Sequence, residues 1–177
     1  MTLKYSDGLM KRINYPFLSN LEEKISEILK SKDKVIISVV GPRGTGKSYF
    51  GKYLRSNGCG RFNRKMVAVI DDSVMWTDFL FFFRRKLRVP DKGIDEFNKL
   101  LHELPKKKKI IFYINNTPWT RLSEADILLK LYTDEYIRTE RLRQRYGHQT
   151  EKIKKGLSSR HFADYKIKYS FLMEEKI

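Results

Sequence analysis

Val35-Ile36-Ile37-Ser38-Val39-Val40-Gly41-Pro42-Arg43-Gly44-Thr45-Gly46-Lys47-Ser48 decides the fold. The first six residues form an apolar, β-branched run that stops at a glycine-punctuated turn. Such a run, without polar alternation, is the mark of a strand covered on both faces. The turn leads into Tyr49-Phe50-Gly51-Lys52-Tyr53-Leu54, and Asn57-Gly58 supplies a natural helix C-terminus. The order is therefore strand, loop, helix.

The spacing Gly41-x-x-x-x-Gly46-Lys47-Ser48 matches the P-loop, and each residue type has a mechanical task there. Gly41, Gly44 and Gly46 let the backbone turn tightly and aim N–H groups at phosphate oxygens, where the helix dipole also favours negative charge. Lys47 would reach the β- and γ-phosphates, and the Ser48 hydroxyl would take a position on Mg²⁺. Arg43, Thr45 and Tyr49 complete the stretch expected to line the nucleotide. The motif thus predicts ATP or GTP with Mg²⁺, without saying what the nucleotide is used for.

At 177 residues the chain suits one domain. Within it, residues 1–33 form an N-terminal extension and helix, 34–172 the core, and 136–162 an arginine-rich lid region. Aromatic residues at 13% and hydrophobic residues at 41% argue against disorder despite 33% charged residues. Thirty-seven Lys and Arg against 21 Asp and Glu give a net charge of +16, which attracts polyanions and anionic substrates over long range. The expected partners are a small phosphorylated or nucleoside substrate and, from the charge, nucleic acid. Cys59 is the single cysteine, so an intramolecular disulfide is excluded and a reducing, cytoplasmic setting is expected. No stretch reaches the eighteen or so apolar residues of a membrane span. A lysine-rich composition with three alanines suits an AT-rich coding sequence, such as that of a virus or phage.

Met1 to Pro16 shows no period and reads as a surface extension. Leu21, Ile25, Ile28 and Leu29 recur at helical spacing behind Ser19 or Asn20 as N-cap, predicting a helix over 21–29. Met66-Val67-Ala68-Val69-Ile70 is a second buried-type strand, and it ends in Asp71-Asp72-Ser73. The aromatic segment between Val74 and Val89 has large rings on nearly every face and reads as a covered helix, with a further surface helix over 94–104. Lys106 to Lys109 then mark a solvated strand entrance, read here in preference to a nucleic-acid contact. Ile110 to Ile114 is the third strand, ending in Asn115-Asn116-Thr117-Pro118-Trp119-Thr120-Arg121.

A short helix from Ser123 leads to a fourth strand over 127–132. Residues 136–146 are helical in pattern and dense in arginine, a second helical stretch covers 150–162, and 165–172 alternates as an edge strand. From Arg138 to Lys168 ten Lys or Arg face three acids, so the charge is concentrated there.

Strands alternating with helices predict a three-layer α/β/α fold with a mainly parallel five-stranded sheet, the ligand lying at the C-terminal ends of its strands. Four features converge on that edge: the phosphate loop, Asp71-Asp72, Asn115-Asn116 and the arginine helix. In this order of elements the chain resembles the P-loop nucleoside and nucleotide kinases, with the uridine-kinase-like branch the nearest likeness and polynucleotide kinases a variant. The resemblance spans about residues 35–172. It implies phosphoryl transfer from ATP to a hydroxyl or phosphate of a nucleoside-type acceptor. Cations must then surround the moving group: Lys47, Mg²⁺ on Ser48, and one or more of Arg141, Arg143 and Arg145, with Arg141 and Arg145 as catalytic candidates and Arg143 on the nucleotide.

Asp72 is the expected base for the acceptor hydroxyl, with Asp71 as the alternative or as a Mg²⁺ ligand. Asp72, Asn115, Asn116, Trp119 and Arg121 form the expected acceptor side. Where uridine kinases carry Glu-Gly after the third strand, this chain has Asn115-Asn116. That pair also lacks the acidic base that an AAA-type motor needs there, so no motor is expected. An NTP-binding nucleic-acid-binding protein without transfer activity is the reading from a different class.

Overall fold

The computed structural model describes residues 15–71, 75–79, 83–87, 101, 104–116, 122–158 and 167–177. The buried run around which the chain is organised is strand β1, Val35–Val40, preceded by helix α1, Leu18–Ile28, and followed by α2, Lys47–Asn57. Then come β2 (Val67–Asp71), β3 (Met75–Phe79), β4 (Phe83–Leu87), β5 (Ile110–Ile114) and β6 (Glu124–Tyr132). Helices α3 (Glu135–Tyr146) and α4 (Thr150–Ser158) and strand β7 (Lys168–Lys176) complete the described chain.

Five strands form one sheet in the order β2-β5-β1-β6-β7, and every neighbouring pair is parallel. The sheet is therefore parallel throughout, and β1 lies at its centre between β5 and β6. Alternation along the strands divides the core in two. Val35, Ile37 and Val39 with Phe112 pack against Leu21 and Ile25 of α1 and Phe50 and Leu54 of α2. Val40, Ile111, Tyr113 and Leu128 pack on the opposite face with Leu101 and Leu122. Each such side chain, taken fully out of water, contributes about 1.5–3 kcal/mol. Burial on both faces is what makes these strands read as unbroken apolar runs. No helix among the described residues is long and apolar enough to cross a membrane.

Several boundaries and two elements differ from the sequence-based expectation. The aromatic segment expected to be helical over 74–89 contains β3 and β4, an antiparallel pair with Met75 opposite Leu87 and Phe79 opposite Phe83. Aromatic residues favour a pleated backbone, and a run with rings on every face has no 3.6-residue period to argue for a helix. Helix α1 begins at Leu18, so Ser19 and Asn20 lie inside it; Phe17 and Leu18 are buried and their packing extends the helix backwards. Tyr15, assigned to a surface extension, is core, with ring centroids 5.0 Å from both Phe50 and Tyr53.

Strand β6 starts at Glu124, where a short helix was expected. Asp126, inside that strand, accepts a 2.8 Å hydrogen bond from the Ile36 N–H of β1 and a 2.5 Å bond from Lys32 Nζ. The final strand runs over 168–176 rather than 165–172, because its register is set by pairing Glu124 with Lys168 and Tyr132 with Lys176. Most of the helix expected over 94–104 lies outside the described residues.

Candidate nucleotide site

Registers across the sheet bring Val39 of β1, Ile114 of β5 and Asp71 of β2 abreast, so three strand ends open onto one edge. The phosphate loop leaves β1 at that edge. Its turn is closed from within: Thr45, fully buried, donates from Oγ1 to the Pro42 carbonyl at 2.9 Å. Gly44 at φ 87° and Gly46 at φ 99° take the left-handed conformation that side chains resist. Gly46 is the N-cap of α2 and its carbonyl accepts from the Tyr49 and Phe50 N–H groups, which leaves the Lys47 and Ser48 N–H groups at the helix start as the donors of an anion cradle.

Lys47 lies at the mouth of the cradle, its Nζ donating to the carbonyls of Gly41 at 2.6 Å and Pro42 at 2.9 Å. Burial pushes its pKa down to about 8, opposed by Asp71 and assisted by Arg145, Arg43 and Arg138. One ammonium thus sits in the field of three guanidiniums and a single carboxylate. An anion entering there relieves the mutual repulsion and replaces lost hydration.

Helix α3 lies directly on the loop. A Cβ at Gly44 would come within 2.9 Å of Arg138 Cγ and 3.2 Å of Leu142 Cγ, so only glycine admits the helix this closely. Arg138 and Leu142 are the buried residues of α3, at 5% and 1% exposure, and they form the face that meets the loop. Arg141 Nη1 donates to the carbonyls of Thr45 at 3.2 Å and Gly44 at 3.4 Å. Leu131, near the end of β6, closes the other side, its carbonyl oxygen filling the place where a Gly41 Cβ would stand.

Of the residues expected at the site, Gly41, Gly44, Thr45, Gly46, Lys47 and Arg141 are in direct mutual contact. Arg43, Arg145 and Asp71 act on Lys47 through their charge. Ser48 lies in the first turn of α2, with Tyr49 behind it. Arg143 is exposed and paired with Glu140 at 2.6 Å. Asn115 is buried and its amide donates to the Tyr113 hydroxyl at 2.6 Å, while Asn116 is exposed. Asp72, Trp119 and Arg121 lie outside the described residues. The arginine pattern did not single out Arg138 as a site residue. Its distance of three residues from Arg141 and four from Leu142 places all three on one face, the signal that could have found it.

A model of the AAA domain family matches residues 37–162, from β1 through the phosphate loop and beyond α4. No curated protein matches. Among solved structures the chain is similar to the assigned fructose transport system kinase of Silicibacter sp. TM1040, with a TM-score of 0.51 and 14% identity over 88% of this chain and 98% of that one. It also matches a gluconokinase from Sinorhizobium meliloti 1021, with a TM-score of 0.40 and 12% identity over 81% and 84% of the two chains, too low to argue from. At such identity the first likeness bears on the fold alone. Asn115-Asn116 follow β5, so no carboxylate stands directly after that strand. A parallel sheet centred on β1, a glycine cradle leading into α2 and a family match spanning both mean that the chain belongs to the AAA domain family and has a P-loop kinase fold.

Proposed function

We propose that the protein is a phosphotransferase that moves the γ-phosphate of ATP, or of GTP, to a hydroxyl or phosphate of a nucleoside- or nucleotide-type acceptor. The observation that carries this reading is α3 seated on the phosphate loop, with Arg138, Arg141 and Arg145 joining Lys47 around one anion cradle. Phosphoryl transfer asks a protein chiefly to position and neutralise, and a ring of cations from two different elements does both.

Lys47 and the N–H groups of the loop hold the β- and γ-phosphates. Ser48 Oγ, at the start of α2, and the Asp71 carboxylate, at the end of β2, are oxygen donors of the kind Mg²⁺ selects. When bound, Mg²⁺ neutralises charge on the phosphate oxygens. Asp72, next in sequence, takes the proton of the acceptor hydroxyl as the new P–O bond forms and the nucleoside diphosphate departs. Arg141 and Arg145 neutralise charge on the transferring group, Arg143 extends the cationic face, and Asn115, Asn116, Trp119 and Arg121 supply the acceptor side.

The test is transfer from γ-labelled ATP to a panel of nucleosides, nucleotides and 5′-hydroxyl oligonucleotides. Asp72→Asn is expected to lower transfer by about a hundredfold or more while leaving ATP binding intact. Unchanged transfer removes Asp72 as the base. The net charge of +16 favours a second reading, a polynucleotide 5′-hydroxyl kinase, which predicts that oligonucleotides are the best acceptors and that added salt weakens them steeply. Nucleotide binding without transfer to any acceptor would instead favour a non-catalytic NTP-binding protein.

A further inference from the structure

The opposite end of the sheet carries a second concentration of positive charge, built differently from the first. Val35 pairs with Ile110 and Ile110 with Val67, which brings the residues just ahead of β1, β5 and β2 side by side. The Val35 N–H donates to the Lys109 carbonyl at 2.8 Å and the Lys109 N–H to the Met66 carbonyl at 3.0 Å, fixing that alignment. Glu124 and Lys168 stand opposite each other at the start of β6 and β7. Along this rim Lys30, Arg64, Lys65, Lys106, Lys109 and Lys168 are exposed.

The described acids on the rim are Asp33, Glu124 and Asp126, and Asp126 is committed to Lys32 and to the Ile36 N–H. With strands about 4.8 Å apart, the cations span about 19 Å from β2 to β7. That is several times the size of one phosphate group, so the row suits a polyanion.

Between β1, β6 and β7 the rim opens into a cleft of about 300 Å³. Lys32, Lys34 and Lys168 line it beside Glu124, Asp126 and Tyr169. Tyr169 is 43% exposed. The other exposed large apolar residues among those described, Tyr132, Tyr136, Ile137 and Leu172, lie on α3 or further along β6 and β7. An anionic bilayer is held firmly only when apolar groups enter it as well, and the described rim offers a single ring. A nucleobase needs only a ring face, with phosphates on neighbouring cations.

We propose that the N-terminal rim of the sheet binds single-stranded nucleic acid, phosphates on its exposed cations and a base stacked on Tyr169, at a site separate from the phosphate loop. The inference is independent of the phosphotransferase reading, since a strand held at this rim lies at the far end of β1 from Lys47.

The experiment measures binding of the full chain to a fluorescent single-stranded oligodeoxynucleotide across a salt series. Lys106→Glu with Lys109→Glu is expected to weaken binding and to flatten the slope of log Kd against log salt by about 1.4, two contacts at about 0.7 each. Tyr169→Ala is expected to weaken binding about tenfold. Lys152→Glu with Lys154→Glu on α4, the same change in net charge, is expected to leave the slope within about 0.3 of wild type. Cooperative thermal unfolding of every variant confirms that it is folded. The proposal is overturned if the wild type does not bind the oligonucleotide, if the α4 pair matches the rim pair, if Tyr169→Ala binds as wild type, or if phosphatidylserine vesicles compete the oligonucleotide away.

Discussion

The two ends of β1 hold positive charge in opposite ways. At the C-terminal end the cations turn inward: Lys47 and Arg141 donate to loop carbonyls, and Arg138 is buried against Gly44. At the N-terminal end Lys106, Lys109 and Lys65 stand in solvent, and the buried polar work falls to Asp126, which ties β6 to β1. A desolvated, preorganised cation discriminates strongly at short range, whereas an exposed row attracts over roughly a Debye length, about 8 Å at physiological salt, and releases readily. The first arrangement suits chemistry on a phosphate and the second suits holding a chain of them.

The sharpest way to separate the ends is Lys47→Ala. It should lower phosphoryl transfer by about 10²–10³-fold, as loss of one preorganised transition-state cation does, while oligonucleotide affinity stays unchanged. Loss of both activities would mean that the two ends are one site. Next in size, Gly44→Ala forces a side chain into a left-handed backbone position against Arg138 and should cost about 1–3 kcal/mol, read as a lower melting temperature together with weaker ATP binding.

The corresponding change at the rim, Asp126→Ala, strands the Ile36 N–H and should cost about 1–3 kcal/mol by thermal unfolding, with the ATP affinity of the folded chain retained. If it weakens ATP binding as much as Gly44→Ala does, the two ends are mechanically coupled. Smaller again, Arg141→Ala removes a partly exposed charge-assisted contact and should reduce transfer about fivefold, with melting nearly unchanged.

The core between the ends supplies an effect confined to alkaline pH and easily checked. Burial pushes both the Tyr15 hydroxyl and the Cys59 thiol up to about 12. Both folded values lie above the unfolded ones, so the stability these groups contribute is complete below about pH 9 and is lost as pH rises through about 12. The melting temperature should therefore fall between pH 9 and pH 12, and the Cys59 thiol should resist disulfide reagents at pH 8 until the chain unfolds. Ready labelling of the folded chain would show that this core is open.

The phosphate loop was legible because its function constrains residue type at fixed spacing, and the local backbone enforces the rest: β-branched residues before it, glycine where φ is positive, helix after it. The parallel strands were legible for a related reason, since burial on both faces leaves no room for polar alternation. Strands β3 and β4 were missed because an aromatic run satisfies either backbone, and only its partner strand settles which. The start of β6 was read as a short helix from Ser123 because what holds Asp126 in the strand, the Ile36 N–H and Lys32, is remote in sequence. Arg138 was passed over because arginine at a helical position is ordinarily solvated; its burial depends on Gly44, nearly a hundred residues earlier in the chain.

By itself the sequence determined the glycine turn between β1 and α2, the parallel sheet and the excess of positive charge, because each depends on local backbone preference, burial or composition. Only the tertiary structure decided which cations face the cradle, which close it and which remain in solvent at the other end of β1. Those assignments depend on contacts between residues far apart in the chain, where the desolvation of one charge is set by the packing of another element.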